Sequence, residues 1–144
     1  MKIIVEQADI TETEVILRCA DPTDAEIYKI KAALADMNKQ IPVQQTDRLL
    51  LLKPQDILYC EYVDRHVFLY TAQDMFPSGL SLSQLELEYP DFFRCSKNTI
   101  VNIKQLTHLK SEIHGRILAS LSNGEQILIS RHYASTLRNR LKQK

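Results

Sequence analysis

The sequence predicts an α+β fold in which residues 46–144 are mainly antiparallel β-structure and residues 1–45 form a small ββα extension. Most apolar runs after residue 46 are short and rich in β-branched or aromatic residues, as strands are. Turn signals such as Asn123-Gly124 separate these runs, and only three segments carry helix signals. A chain of 144 residues is long enough for one ordinary domain with an appendage.

The extension is predicted to begin with two short strands, residues 3–5 and 15–17, where apolar and polar residues alternate. A helix start follows, with Asp21 as the N-cap and Pro22 at the first helical position. The helix carries one apolar stripe, formed by Ile27, Ile30, Leu34 and Met37. The Ile41-Pro42 pair disfavours helical geometry and ends it. A piece this small should dock on the rest of the chain or on a second subunit, and both alternatives stay open.

Seven strands are predicted in the larger part, at residues 49–52, 57–62, 67–71, 100–103, 106–109, 117–121 and 126–130. Residues 63–66 separate the second and third of these at hairpin length. Ser81 and Gln84 fit a capping box, which predicts a short helix. Ser130 is a candidate cap for a terminal helix with basic residues near its end.

Charge is unevenly distributed along a chain whose net charge is zero. Residues 1–45 carry a net charge of −3 and residues 46–90 a net charge of −4. Residues 91–144 carry 10 basic and 3 acidic groups, a net charge of +7. This basic third predicts a face that binds a polyanion, and scattered lysines plus a basic helix end are the simpler alternative.

The sequence disfavours an enzyme, a cofactor and a metal site. It has no GxSxG elbow, no glycine-rich phosphate loop and no HExxH motif, and it contains only three glycines. The four histidines include no pair spaced i, i+4 on a predicted helix, and the three cysteines include no CxxC pair. No apolar run approaches the ~18 residues of a membrane span. A carboxylate at Glu6 interrupts any signal-peptide core, so we expect a cytoplasmic protein.

Residues 92–103 contain the most specific local pattern, in which two aromatics precede a polar, cationic patch and a β-type run follows. A loop anchored on the core would present this patch outward, with Arg94, Ser96, Lys97 and Asn98 as its members. Cations and short polar donors suit phosphates, and Lys or Asn can also read base edges. A plain polar connection between a helix and a strand is the alternative.

Other residues of this region are expected to be structural. Asn102 lies within an apolar strand, where its amide should satisfy backbone groups. Four aromatic residues are expected in the core: Tyr59, Tyr62, Phe68 and Phe93. They lack the regular spacing of an aromatic platform for single-stranded nucleic acid.

Residues 93–102, FRCSKNTIVN, resemble the central motif of the LytTR DNA-binding family, F-x-R-[IVC]-H-[RK]-S-x-[LIV]-V-N. The flanks match in order: residues 57–61 are similar to the family's opening strand and residues 82–86 to its S-L-x-x-L-E helix. Residues 121–125 and 129–133 resemble its closing hairpin and S-R-x-Y segment. The resemblance covers residues 46–144. Ser96 stands where the family often has His, and Asn98 where it usually has Ser.

The resemblance implies a mainly antiparallel β fold whose loops, instead of a recognition helix, enter successive major grooves. It places DNA contacts in three sets, namely Arg65 with His66, then Ser96 with Lys97 and Asn98, and finally Arg131 with His132. Arg94 is expected either to contact phosphate or to brace Glu61 or Asp91. The chain also resembles short stand-alone members without a receiver domain, some of which are encoded beside a small membrane protein that restrains them.

The resulting hypothesis is a homodimeric, sequence-specific double-stranded DNA-binding regulator of transcription, without catalysis or cofactor. Paired half-sites would supply both affinity and spacing selectivity, which favours a dimer. The first alternative is a protein-interaction module whose basic third binds an acidic partner. An RNA-binding β domain is the second alternative.

Overall fold

The computed structural model describes residues 1–142, and the side chains of all of these except residues 36–38. The described chain separates into two compact units, Met1–Met37 and the part that begins at Asn38. The boundary therefore falls before residues 41–45, which we had assigned to the extension. None of the helices in the described chain is both long and apolar enough to cross a membrane.

Helix α1, Ala25–Asn38, lies in the first unit except for its last residue. The helix starts later than predicted, because Asp24 is the residue whose Oδ1 accepts from the second helical amide, that of Glu26, at 3.1 Å. Asp21 instead closes a turn, with its carboxylate accepting from the Thr23 amide at 2.9 Å. The described members of the predicted apolar stripe are half-buried on one side of the helix: Ile27, Ile30 and Leu34. Met37 lies among the side chains that are not described.

The two strands predicted at residues 3–5 and 15–17 are wrong. Residues 1–24 contain bends and a turn but no strand. Ile3 is 81% exposed, Val5 92% and Val15 61%. A two-stranded hairpin is marginally stable without a third strand or a packing surface. Alternation of apolar residues was therefore not sufficient to form strands here.

The second unit begins with an antiparallel hairpin of β1, Ile41–Gln45, and β2, Arg48–Leu52. Ile41 and Val43 of β1 are fully buried, and Pro42 between them faces outward. Within the described chain, β2 pairs with β1 alone. Leu49 and Leu51 on β2 are more than half exposed.

A five-stranded antiparallel sheet forms the centre of this unit. Its strands are β3 Tyr59–Val63, β4 His66–Tyr70, β5 Met75–Ser78, β6 Phe92–Ser96 and β7 Thr99–Asn102. Their spatial order is β5-β4-β3-β7-β6. Helix α2, Leu82–Glu88, connects β5 to β6. The predicted capping box opens it, since the Gln84 amide donates to Ser81 Oγ at 3.1 Å and the Ser81 amide to Gln84 Oε1 at 2.9 Å.

A second antiparallel sheet contains β8 Leu106–Ser111, β9 Ile117–Leu121 and β10 Gln126–Ile129, in the order β10-β9-β8. Helix α3, Arg131–Lys142, follows β10 directly. Short 3-10 turns occur at Pro54–Asp56, Ile103–Gln105 and Ile113–Gly115. The mainly antiparallel fold predicted for this part of the chain is confirmed.

The core has two clusters, one on each face of the five-stranded sheet. Residues adjacent in sequence point to opposite faces, so Phe92 and Ile100 join one cluster while Phe93 and Val101 join the other. The first cluster includes residues of β1 and α2, and the second includes residues of the three-stranded sheet and α3. Burial on both faces explains why the sequences of these strands are apolar runs instead of alternating patterns.

Candidate functional site

The first set of predicted site residues forms the tight turn between β3 and β4. Val63 pairs with His66, which leaves Asp64 and Arg65 as the two turn residues. Their φ angles are 51° and 68°, the left-handed geometry of a type I′ hairpin turn. The Arg65 and His66 side chains are exposed.

The second set also forms a tight turn, which joins two strands, whereas the alternative prediction for this segment was a polar connection between a helix and a strand. Ser96 of β6 pairs with Thr99 of β7, and Lys97 and Asn98 are the exposed turn residues between them. The pairing register shifts between Arg94 and Ser96, as at a β-bulge. Strand β6 was not predicted, because its polar residues were assigned to the loop.

These two turns lie side by side at one end of the five-stranded sheet. β3 and β7 are antiparallel neighbours in which Glu61 pairs with Thr99, so the end of one strand lies beside the start of the other. The Tyr62 amide donates to the Asn98 carbonyl at 2.8 Å. The sheet therefore fixes the spacing of the two turns.

The third set lies at the start of α3, next to the second turn. The Ser130 amide donates to the Cys95 carbonyl at 2.8 Å, and the Ser130 carbonyl accepts from the amides of Tyr133 and Ala134 at 3.0 Å. Arg131 and His132 are exposed in the first helical turn. Basic residues at a helix N-terminus oppose the helix dipole, and this first turn contains no acidic residue. Such a local conflict is expected where a residue serves binding more than folding.

Arg94 is engaged internally, with a different partner from the two carboxylates that we had considered. Its Nε lies 3.1 Å from Oε2 of Glu86 on α2, and neither Glu61 nor Asp91 pairs with it. Its NH1 donates to the Lys97 carbonyl at 2.8 Å. The guanidinium therefore supports the second turn from the side of α2.

With Asp64 added to the first set and Ser130 to the third, the three sets comprise nine residues: 64–66, 96–98 and 130–132. They carry three formal cations, two histidines and one carboxylate. The side chains of Lys97 and Arg131 make no hydrogen bond or ion pair with any other group of the described chain. Arg138 and Arg140, by contrast, donate to Ser111 Oγ and to the Pro90 carbonyl. Part of the basic third is thus used inside the fold, and part is left free at this end.

The opposite end of the strands carries a carboxylate, that of Glu125. There the Asn123-Gly124 turn places Glu125 within 3.0 Å of the Tyr59 hydroxyl, which donates to it. Burial raises the pKa of Tyr59, and this hydrogen bond raises it further. The cations of the three sets are consequently separated from this carboxylate by the length of the strands.

Comparison with known proteins gives this arrangement a family. Residues 47–142 match the family described as the LytTr DNA-binding domain. The chain belongs to that family. The solved LytTr DNA-binding domain of a protein described as a putative methyl-accepting/DNA response regulator, from Bacillus cereus, has 25% sequence identity and a TM-score of 0.65. The match covers 72% of this chain and 97% of that domain.

Two curated relatives are sensory transduction proteins named LytT. The one from Enterococcus faecalis is 21% identical over 131 residues, which is 90% of this chain and 54% of the relative. The one from Bacillus anthracis is 26% identical over 111 residues, which is 75% of this chain and 44% of the relative. The chain thus spans about half the length of these relatives.

Asn102 of the LytTr domain is buried and hydrogen-bonded to backbone groups, as predicted. Asn102 is 2% exposed, and its Nδ2 donates to the carbonyls of Ile57 and Pro54 at 2.8 and 3.2 Å. Its Oδ1 accepts from the Lys104 amide at 3.0 Å. This side chain ties the end of β7 to the segment before β3 and has a structural role.

The cysteines of the LytTr domain are buried thiols. Cys60 and Cys95 are fully buried, and burial raises the pKa of Cys95 to about 12. Such a thiol stays protonated and unreactive near neutral pH. Among the residues whose side chains the structure describes, no three His, Cys, Asp or Glu are grouped in a way that could hold a metal ion.

Tyr62 is an exposed residue at the site that sequence reasoning placed in the core. It is 44% exposed beside Asn98, although it shares a face of β3 with the fully buried Cys60. The core ends between these two positions, so Tyr62 extends the core-facing row into solvent. The short distance from Tyr62 to the predicted turn at residues 63–66 was the available signal.

Proposed function

We propose that this chain regulates transcription by sequence-specific binding of double-stranded DNA, with the three sets at one end of its sheets as the contact surface. The observation that carries the proposal is the convergence of Arg65, Lys97 and Arg131 at that end of a LytTr domain. Arg131 carries additional weight, because its charge opposes the dipole of the helix on which it stands.

Each set has a distinct role in this proposal. Lys97 and Arg131 read base edges in the major groove, where Arg and Lys favour the guanine acceptors. Arg65 and His66 contact the neighbouring stretch of backbone or base edge from the first turn. Ser96, Asn98 and His132 supply the short polar contacts, and Arg94 holds the second turn in place through the Lys97 carbonyl.

Tight turns are suited to the groove. The major groove of B-DNA is about 12 Å wide and admits a two-stranded β-ribbon. Two β-ribbon ends held side by side by the Tyr62 to Asn98 hydrogen bond form a rigid projecting edge. A rigid edge loses little conformational entropy on binding, which favours affinity.

A homodimer and a cytoplasmic location belong to the same proposal. One set of turns reads about one half-site, and two copies would read a repeated or palindromic site. The half-buried stripe on α1 offers an apolar surface for pairing. A small restraining membrane protein stays a prediction that rests on the family resemblance.

Selection from a randomised duplex library on the full chain tests the proposal. We expect a recovered consensus with two half-sites whose centres are separated by about one or two helical turns. The selected duplex should resist competition by unrelated duplex and by RNA of the same sequence. Recovery of no consensus, or equal competition by RNA, would contradict sequence-specific duplex recognition. Competition by an acidic protein alone would favour the interaction-module alternative.

A further inference from the structure

The turn between β8 and β9 lies next to Arg131, although no sequence motif links the two. Ser111 of β8 pairs with Ile117 of β9, and Ile117 pairs with Ile129 of β10. Residues 112–116 therefore project at the same end of the three-stranded sheet at which α3 begins.

The Arg131 side chain rests on the backbone of this turn. A Cβ atom built on Gly115 would lie 3.1 Å from Cγ and 3.4 Å from Cδ of Arg131. The first of these distances is shorter than about nine in ten contacts that real Cβ atoms make. A side chain at residue 115 would therefore push the aliphatic part of Arg131 away by a few tenths of an ångström or more.

The turn holds this shape in a conformation that most residues avoid. His114 has a φ of 62° and Gly115 a φ of 77°, so two consecutive residues are left-handed. The Glu112 amide donates to the Arg116 carbonyl at 2.8 Å and closes the turn. A left-handed residue other than glycine is costly, and such a cost tends to be retained where function needs the geometry.

We propose that this turn is a fourth part of the DNA-binding surface, in which Gly115 is a positioning residue that seats the side chain of Arg131. The inference rests on the proposed function, because Arg131 must contact DNA for its seating to matter. A seated aliphatic stem leaves the guanidinium fewer rotamers to lose on binding. Precise support of a contacting side chain by its neighbours is what distinguishes an effective site from a loose one.

Asparagine substitution separates seating from backbone strain. Asn tolerates left-handed φ better than most residues, so Gly115→Asn keeps the turn while filling the place of the Arg131 stem. Gly124→Asn is the matched control, since Gly124 has a φ of 91° and a Cβ added there would meet nothing within 4 Å. On the duplex selected by the wild-type chain, we expect Gly115→Asn to bind about threefold to tenfold more weakly, a part of the loss expected when a base-reading Arg is removed. Gly124→Asn should bind as the wild type does.

A double-mutant cycle with Arg131→Ala decides whether the effect runs through Arg131. In a chain that already carries Arg131→Ala, the Gly115→Asn substitution should cause no further loss of affinity. An equal loss with and without Arg131→Ala would show that the substitution acts through the fold, and would overturn the inference. Unchanged affinity of Gly115→Asn would also overturn it. If Arg131→Ala itself binds normally, the proposed contact surface is wrong, which is a separate outcome.

Discussion

Lys97 and Arg131 have exposed charged ends that make no bond within the described chain. We therefore expect Lys97→Ala and Arg131→Ala each to weaken binding of the selected duplex by about tenfold to a hundredfold, the range for loss of a base-edge contact. Melting temperatures should stay within a degree or so of the wild type, because exposed charges contribute little to folding. Affinity titrations and thermal melts on the same preparations measure both.

Lys104→Ala is the matched control for these variants. Lys104 is exposed, but it follows β7 at the end of that strand away from Lys97. Its removal changes the net charge by the same amount as Lys97→Ala does. Equal losses for Lys97→Ala and Lys104→Ala would mean that general charge, and not the turn, governs binding.

Asn102 should behave in the opposite way. Asn102→Ala removes the side-chain partner of the buried Ile57 carbonyl and of the Lys104 amide, and each unpaired group of this kind costs about 1–3 kcal/mol. The Pro54 carbonyl keeps the Ile57 amide as a donor. We expect a lower free energy of unfolding in urea, by about 2 kcal/mol or more, and near-normal affinity for DNA at temperatures where the variant stays folded. Lost affinity in a fully folded Asn102→Ala would show that this residue also serves the interface.

The β3–β4 turn predicts a trade between stability and binding. Arg65 is held at a φ of 68°, a conformation that costs roughly 1 kcal/mol for residues other than glycine. Arg65→Gly should therefore raise the free energy of unfolding by about 0.5–1 kcal/mol, while weakening binding through the loss of a cation. Denaturant unfolding should therefore give a higher free energy of unfolding for Arg65→Gly, while titration should give a lower affinity for DNA. If Arg65→Gly binds DNA as tightly as the wild type does, Arg65 is not part of the DNA-contact surface.

Strands and turns differed in how well the sequence predicted them. The seven strands predicted after residue 46 all formed, because apolar runs buried on one or both faces of a sheet are distinctive. Strands β1, β5 and β6 were missed. The polar residues of β6 had been assigned to a loop, whereas β1 and β5 each contain a proline, Pro42 or Pro77. Proline argues against a central strand but is tolerated in an edge strand, which is where the fold uses β5.

The candidate site shows the same division between local and tertiary information. The three contact sets were implied by the resemblance to the LytTR family, and each is also a local cluster of polar or cationic residues at a predicted loop or strand end. It could not predict that Arg94 reaches Glu86, or that Arg131 rests on Gly115. Both contacts depend on how separate elements pack, and no periodic pattern encodes that packing.

The grouping of free cations at one end predicts a steep salt dependence. If two subunits each use the charges of Arg65, Lys97 and Arg131 to neutralise phosphates at or beside the base edges that they contact, the slope of log affinity against log salt should be about −5. Fluorescence anisotropy at several salt concentrations measures it. Lys97→Ala should make the slope shallower, and Lys104→Ala should leave it unchanged. A flat response in the wild type would favour a protein partner over DNA.

The stripe on α1 predicts that the first unit mediates dimerisation. Ile30→Glu introduces a charge into the half-buried stripe, and Ala32→Glu introduces the same charge at an exposed position of that helix. We expect light scattering at micromolar concentration to give a monomer for Ile30→Glu and a dimer for Ala32→Glu. Circular dichroism checks that both keep their helices. A dimer that survives Ile30→Glu would assign pairing to another surface.

The exposed leucines of β2 should affect light scattering at high protein concentration. Within the described chain this strand has one paired edge and one open edge, and Leu49 and Leu51 stand on its outward face. An open edge with apolar side chains is a template for further strands, which natural proteins usually block with charges. In concentrated samples, copies of the chain should therefore associate non-specifically, without a fixed stoichiometry. Their scattering would rise continuously with concentration, whereas a specific dimer reaches a plateau.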